Sequence, residues 1–300
     1  MKKILIFCLI FTILGLSLSA QRKSLLTEAQ LKEKEDAEAR GWAFGLNLGM
    51  VIPSNYSANF YNGADANENN LGRILNNTYY KQKITEYIGY NYTGWEIPES
   101  MPYKMAMDVG LYTRYSLDSR HGFFAQVTYH KLEANDLFLL RLDVPQSTNI
   151  DPVYIECPIV GQEERTHIDL GYFKEMPLAE KIRLNIEVGF NLNNTLVKTN
   201  KIQIRNLTGT DTGLEYSIKY DGDRPLGDYD SGNVYDIRQG GIGFGAFGGG
   251  TIRFLFSKKI SFDPGFNLYF SKIALEGYND FKPQFTFFAR IIMTDFFSTD

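Results

Sequence analysis

The sequence predicts an all-β protein, an antiparallel up-and-down transmembrane β-barrel of about eight strands with long loops on one rim. Three observations lead there. A two-residue alternation of apolar and small or polar residues returns in segment after segment. The apolar positions of those segments carry no Asp, Glu, Lys or Arg, although 22% of the chain is charged. The connections between segments alternate between short and long, as sequential antiparallel strands require.

The N-terminus comes first. Residues 1–20 combine "MKK", the apolar run "ILIFCLIFTILGL" and the small residues "SLSA", the layout of a secretory signal peptide cut after Ala20. Cys8 leaves with it, so the mature chain keeps one thiol, Cys157, and has no internal disulfide. Residues 21–40 are charged and rich in helix formers, which predicts a polar periplasmic helix or arm. The barrel is expected over 41–300.

"WAFGLNLGM" (42–50) opens the body, with Trp42, Phe44, Leu46, Leu48 and Met50 on one face and Ala43, Gly45, Asn47 and Gly49 on the other. The same period marks "KMAMDVGLYTRY" (104–115), "FFAQVTYH" (123–130), "RTHIDLGYF" (165–173) and "IRLNIEVGFNLN" (182–193). It continues in "GIGFGAFGGGTIRFLF" (241–256), "ISFDPGFNLYF" (260–270) and "FTFFARIIM" (285–293). Short turns follow at "SLDSRHG", "KEMPLAE" and "SKK", whereas 53–103, 142–163 and 194–239 read as long loops and 274–283 as a moderate one.

Charge decides between a water-soluble and a membrane barrel. The faces opposite the apolar ones carry Asp108, Arg114, Arg165, Asp169, Arg183, Glu187, Arg253, Asp263 and Arg290. Charges at such regular intervals do not suit the dry core of a soluble sandwich. In a membrane barrel the apolar face meets lipid and the charged face lines the lumen. Trp42, Phe44, Tyr115, Phe123, Tyr172, Phe254, Phe256, Phe262, Phe296 and Phe297 gather near the short-turn rim, as an interfacial girdle does. Eight strands enclose a space that side chains just fill, so a plugged lumen is expected. The net charge of −4, with no basic stripe, argues against nucleic acid as a partner.

Over 41–300 the chain resembles small outer-membrane β-barrel proteins of Gram-negative bacteria, and its Lys-, Asn-, Ile-, Phe- and Tyr-rich usage and "SA" before Gln21 look like proteins of the Bacteroidota. The resemblance implies the cell envelope, insertion by the barrel-assembly machinery, periplasmic short turns and outward-facing long loops. The terminal "FFARIIMTDFFSTD" is similar to the aromatic last strand of such proteins but adds "STD" after the final Phe.

Candidate chemistry is sparse. His130, His167, Asp169 and Glu187 fall on adjacent inward faces, and read either as a metal or acid–base cluster or as a structural ion-pair network. The near balance of inner charges favours the network. No catalytic, cofactor or metal residue is assigned. "DANENN" opens like a calcium loop with Asp65, Asn67 and Asn69, but has Asn70 at the turn glycine and Asn76 at the twelfth position. Asp221, Asp223, Asp228 and Asp230 form an acidic stretch read as solvated, with calcium as the alternative. The loop 53–103 is rich in Tyr and Asn, which suit recognition surfaces, and Ile74, Leu75, Ile84 and Ile88 suffice for a compact cap. The expectation is a non-enzymatic structural or accessory barrel. It meets the outer-membrane bilayer and presents 53–103 and 194–239 to an envelope complex or a glycan. The alternatives are a narrow solute channel and a lipid-modifying enzyme.

Overall fold

The computed structural model describes residues 40–144, 152–207, 213–219, 239–257 and 259–294. The expected signal peptide 1–20, residues 21–39 of the expected arm 21–40, Asp221–Asp230 and the aromatics Phe296 and Phe297 lie outside them.

Among the described residues ten strands form one sheet: β1 (Gly41–Ile52), β2 (Asn91–Glu96), β3 (Ala106–Ser116), β4 (His121–Asp143), β5 (Val153–Ala179), β6 (Ile182–Ile204), β7 (Leu214–Lys219), β8 (Gly240–Leu255), β9 (Ile260–Lys272) and β10 (Phe281–Thr294). All pairings are antiparallel. From β1 they run through β3, β4, β5, β6, β8, β9 and β10, and β10 pairs β1 again, so these strands close a barrel. β2 and β7 stand outside the ring, on β4 and β6.

In β1 the alternation does what its sequence dictates. Trp42, Leu46, Leu48 and Met50 are exposed, while Ala43, Gly45 and Asn47 are buried in the lumen. Gly45 and Gly49 are required there, since a Cβ would stand 2.8 Å from the Ile291 carbonyl oxygen at the first and 2.5 Å from that of Phe287 at the second. At the short-turn rim Trp42 stacks near Phe44 at 6.3 Å and meets Tyr115 at 5.1 Å, and Phe123 meets Tyr172 at 5.9 Å.

The long strands depart from the sequence reading. Residues 153–163 and 194–204, expected as loop, are paired strand within β5 and β6, and β7 lies inside the expected loop 194–239. β5 has 27 residues. At about 3.3 Å per residue and a tilt of about 40°, a strand of that length rises about 70 Å, against an apolar band of about 25 Å. The excess projects into water.

The polarity of the strands reverses where they leave the band. On β4 the outward residues are Phe123, Val127 and Tyr129, then Lys131, Glu133 and Arg141; the inward ones are Gln126, Thr128 and His130, then Leu132, Ala134, Phe138, Leu140 and Leu142. β5 changes in the same way from inward Asp169, His167, Arg165 and Glu163 to Ile159, Cys157 and Ile155. β6 passes from Asn191, Asn193 and Thr195 to Val197, Ile202 and Ile204, with an irregularity opposite Gln162–Glu163 that resets its phase. Below the change the wall is apolar outside and polar inside, above it the converse. One strand therefore passes from lipid into water.

Segment 53–103 folds over the apolar inner face of this projecting wall. It holds α1 (Asn55–Ala58), a 3₁₀ turn (Asn59–Tyr61), α2 (Leu71–Leu75), α3 (Thr78–Ile88) and β2. Ser54, Asn70 and Asn77 cap the three helices by accepting from first-turn N–H groups, and Gly89 at φ 82° ends α3. Phe60, Tyr61, Leu71, Ile74, Leu75, Ile84 and Ile88 pack on Phe138, Leu140, Ile155, Cys157, Ile159, Ile202 and Ile204, forming one apolar core above the barrel. The cap lies on the rim opposite the short turns.

Candidate functional site

Buried polar, charged and aromatic side chains line the lumen along its length. Nearest the short-turn rim, Glu175 gathers Arg114 at 3.1 Å, Arg183 at 2.6 Å and Arg253, and Arg253 also holds Asp263 at 2.6 Å. An aromatic layer of Tyr112, Phe124, Phe173, Phe247 and Tyr269 lies within the barrel. Glu187 pairs with Arg290 at 2.6 Å and accepts from Asn185 and Tyr112, and Arg290 also donates to Gln126 at 2.8 Å. Asp169 accepts from Asn191 at 2.6 Å and Tyr269 at 2.8 Å. Buried Arg165, Arg253, Arg290, Tyr112 and Tyr269 leave a packed interior.

The four residues singled out from the sequence are thus divided. His130 and His167 meet edge to face with centroids 4.9 Å apart. Asp169 and Glu187 belong to hydrogen-bond and ion-pair networks with other partners. Sequence reading missed two carboxylates, Glu163 and Glu175. Both keep the odd-numbered inward phase of Arg165, His167 and Asp169, a signal hidden because 163 was assigned to a loop and 175 to a turn. Among the described residues, no three His, Cys, Asp or Glu side chains form a ready metal centre.

Where the lumen meets the cap, a polar latch joins them. Arg165 pairs with Glu163 at 2.5 Å and donates to Ser57 at 3.0 Å, Gln284 at 3.2 Å and Tyr103 at 3.3 Å. Tyr61 donates to Glu163 at 2.6 Å, and its ring lies flat on Gly161, where a Cβ would come within 2.1 Å of it. Burial, and then the adjacent Glu163 carboxylate, push the Tyr61 phenol well above its ordinary range, so it remains a donor. A cleft beside the latch is lined by Ser57, Arg165, Tyr278 and Lys282.

The calcium-like "DANENN" is spent on cap structure. Asn67 donates to Asn59 and Asn62 and accepts from Tyr278, Asn69 donates to Asn200, and Asn70 caps α2. Cys157 is buried in the cap core, and desolvation there pushes its thiol up to about 11.

No protein family and no curated protein matches the sequence. Among solved structures, the attachment invasion locus protein Ail of Yersinia pestis, in complex with the heparin analogue sucrose octasulfate, is 8% identical, with 84% of this chain and 97% of that chain covered and a TM-score of 0.34. The Neisserial surface protein NspA is 7% identical over 84% and 96%, TM-score 0.37. The outer membrane protein OprG of Pseudomonas aeruginosa is 8% identical over 84% and 96%, TM-score 0.35. Likeness at this level says nothing of activity. The closed ring, the lipid-facing apolar belt and the ion-paired lumen make this chain an antiparallel β-barrel of the outer membrane.

Proposed function

We propose that the protein is a non-enzymatic structural or accessory barrel that presents its capped extracellular face to a partner in the envelope or to a glycan. The composition and leader suit an envelope of the Bacteroidota type. One observation carries the reading: the chain invests three overlong strands, three helices and two extra strands in a water-facing layer with its own core, above a lumen already filled with side chains. A layer of that size presents a surface and does not open a path. Buried arginines across the lumen weigh against the channel alternative.

The test combines two measurements. Purified protein in planar bilayers is expected to be silent, and mild-detergent purification from the native membrane should recover a stable partner that is lost when 53–103 is shortened. Steady unitary conductance would favour the channel. Recovery of the barrel alone under every condition would remove the accessory role. A changed lipid profile in a deletion strain, restored by the wild type but not by His130→Ala or His167→Ala, would favour the enzyme.

A further inference from the structure

The upper lumen departs from the ion pairing seen elsewhere in the barrel. Glu163, Glu175, Glu187 and Asp263 each have a guanidinium within salt-bridge distance. Among the described residues Asp108 and Asp169 have no Lys or Arg that close. The arginines nearest to them along the lumen are engaged, Arg290 with Glu187 and Arg165 with Glu163. Beside these two carboxylates stand the two lumenal histidines. His130 and His167 are 1% and 2% exposed, and the Nε2 of each lacks any hydrogen-bond partner.

The geometry points to a site for one divalent transition-metal ion of the zinc class, held by Nε2 of His130 and Nε2 of His167. His130 Nδ1 lies 3.1 Å from Asp108, so the carboxylate fixes the tautomer that leaves the Nε2 lone pair free. With metal–nitrogen bonds of about 2.0–2.1 Å and a tetrahedral angle, two imidazole centres stand about 5 Å apart. The rings here are 4.9 Å apart. Asn47, whose amide donates to Asp108, has an unpartnered Oδ1. An amide oxygen or water completes the coordination. A dication matches the two uncompensated carboxylates; Arg165, beside His130 in register, is neutralised by Glu163.

The untagged mature chain is refolded from urea into detergent micelles with excess Zn²⁺, desalted, and assayed for bound metal and for its zinc X-ray absorption spectrum. The expected result is about one zinc per chain with two imidazole ligands. His130→Gln and His167→Gln should each retain at least about tenfold less, and Asp108→Asn should bind about 10–100-fold more weakly. His121→Ala, in a short turn, should bind as wild type does. Zinc below about 0.1 per chain, or undiminished binding in both Gln variants, overturns the site. So does histidine ¹⁵N resonance showing both His130 nitrogens protonated in the zinc-treated protein. If the variants fail to refold, the wild-type absorption spectrum decides: two imidazoles support the site and fewer overturn it.

Discussion

Val127 and Leu137 lie on the outward face of β4 and are similarly exposed, 45% and 40%. They are ten residues apart, which at about 3.3 Å per residue and a tilt of about 40° is about 25 Å of depth. Val127 stands within the apolar belt between Phe123 and Tyr129, and Leu137 beyond Lys131 and Glu133, where the inward residues have become the apolar ones. Arginine at the first position must be held in hydrocarbon, at about 2–4 kcal/mol near the midplane. At the second it meets water, and the change should stay within about 0.5 kcal/mol. The assay is reversible urea unfolding in lipid vesicles, followed through Trp42 and Trp95. Val127→Arg is expected to destabilise by about 1.5–4 kcal/mol more than Leu137→Arg. Equal costs, or a larger cost at Leu137, would refute the assignment of the water boundary to the polarity change on this strand.

Other perturbations probe the cap. Phe138→Ala, at a fully buried position, should cost about 3–5 kcal/mol of cap stability, read as faster proteolysis within 53–103 with the barrel still inserted. Undiminished protease resistance would count against one shared core. Arg165→Met strands Glu163 beneath the cap and should cost about 3–5 kcal/mol, with amide exchange rising first at Ser57–Tyr61. Cys157, with its thiol held near 11 by burial, should be only about 0.1% thiolate at pH 8, and should label only after the cap opens. The folded thiol binds its proton more tightly than the unfolded one. Its contribution to cap stability is therefore whole below about pH 8.5 and lost as pH climbs toward about 11. Rapid labelling of native protein at pH 8 would contradict the burial.

Much of the barrel is written into local pattern. A two-residue period with bulk on one side and charge confined to the other specifies both the strand and its medium, because lipid and lumen impose opposite demands on alternate residues. "WAFGLNLGM" carries that information unaided, as do the short turns and the buried isoleucines and leucines of 53–103. What stayed hidden lies where the rule changes along a strand. Beyond His130, Arg165 and Thr195 the inward face turns apolar and the outward face polar, so a search for one oily lipid face loses the pattern there, and 153–163 and 194–204 read as loop. Only the cap, supplied by 53–103, makes an apolar inward face favourable at those positions. The ion pairs likewise belong to the closed ring: Arg290 and Glu187 are 103 residues apart, on strands that are not neighbours, and meet because the wall curves back on itself. The sequence placed charges inside, whereas closure decided which of them are matched and left Asp108 and Asp169 beside two histidines.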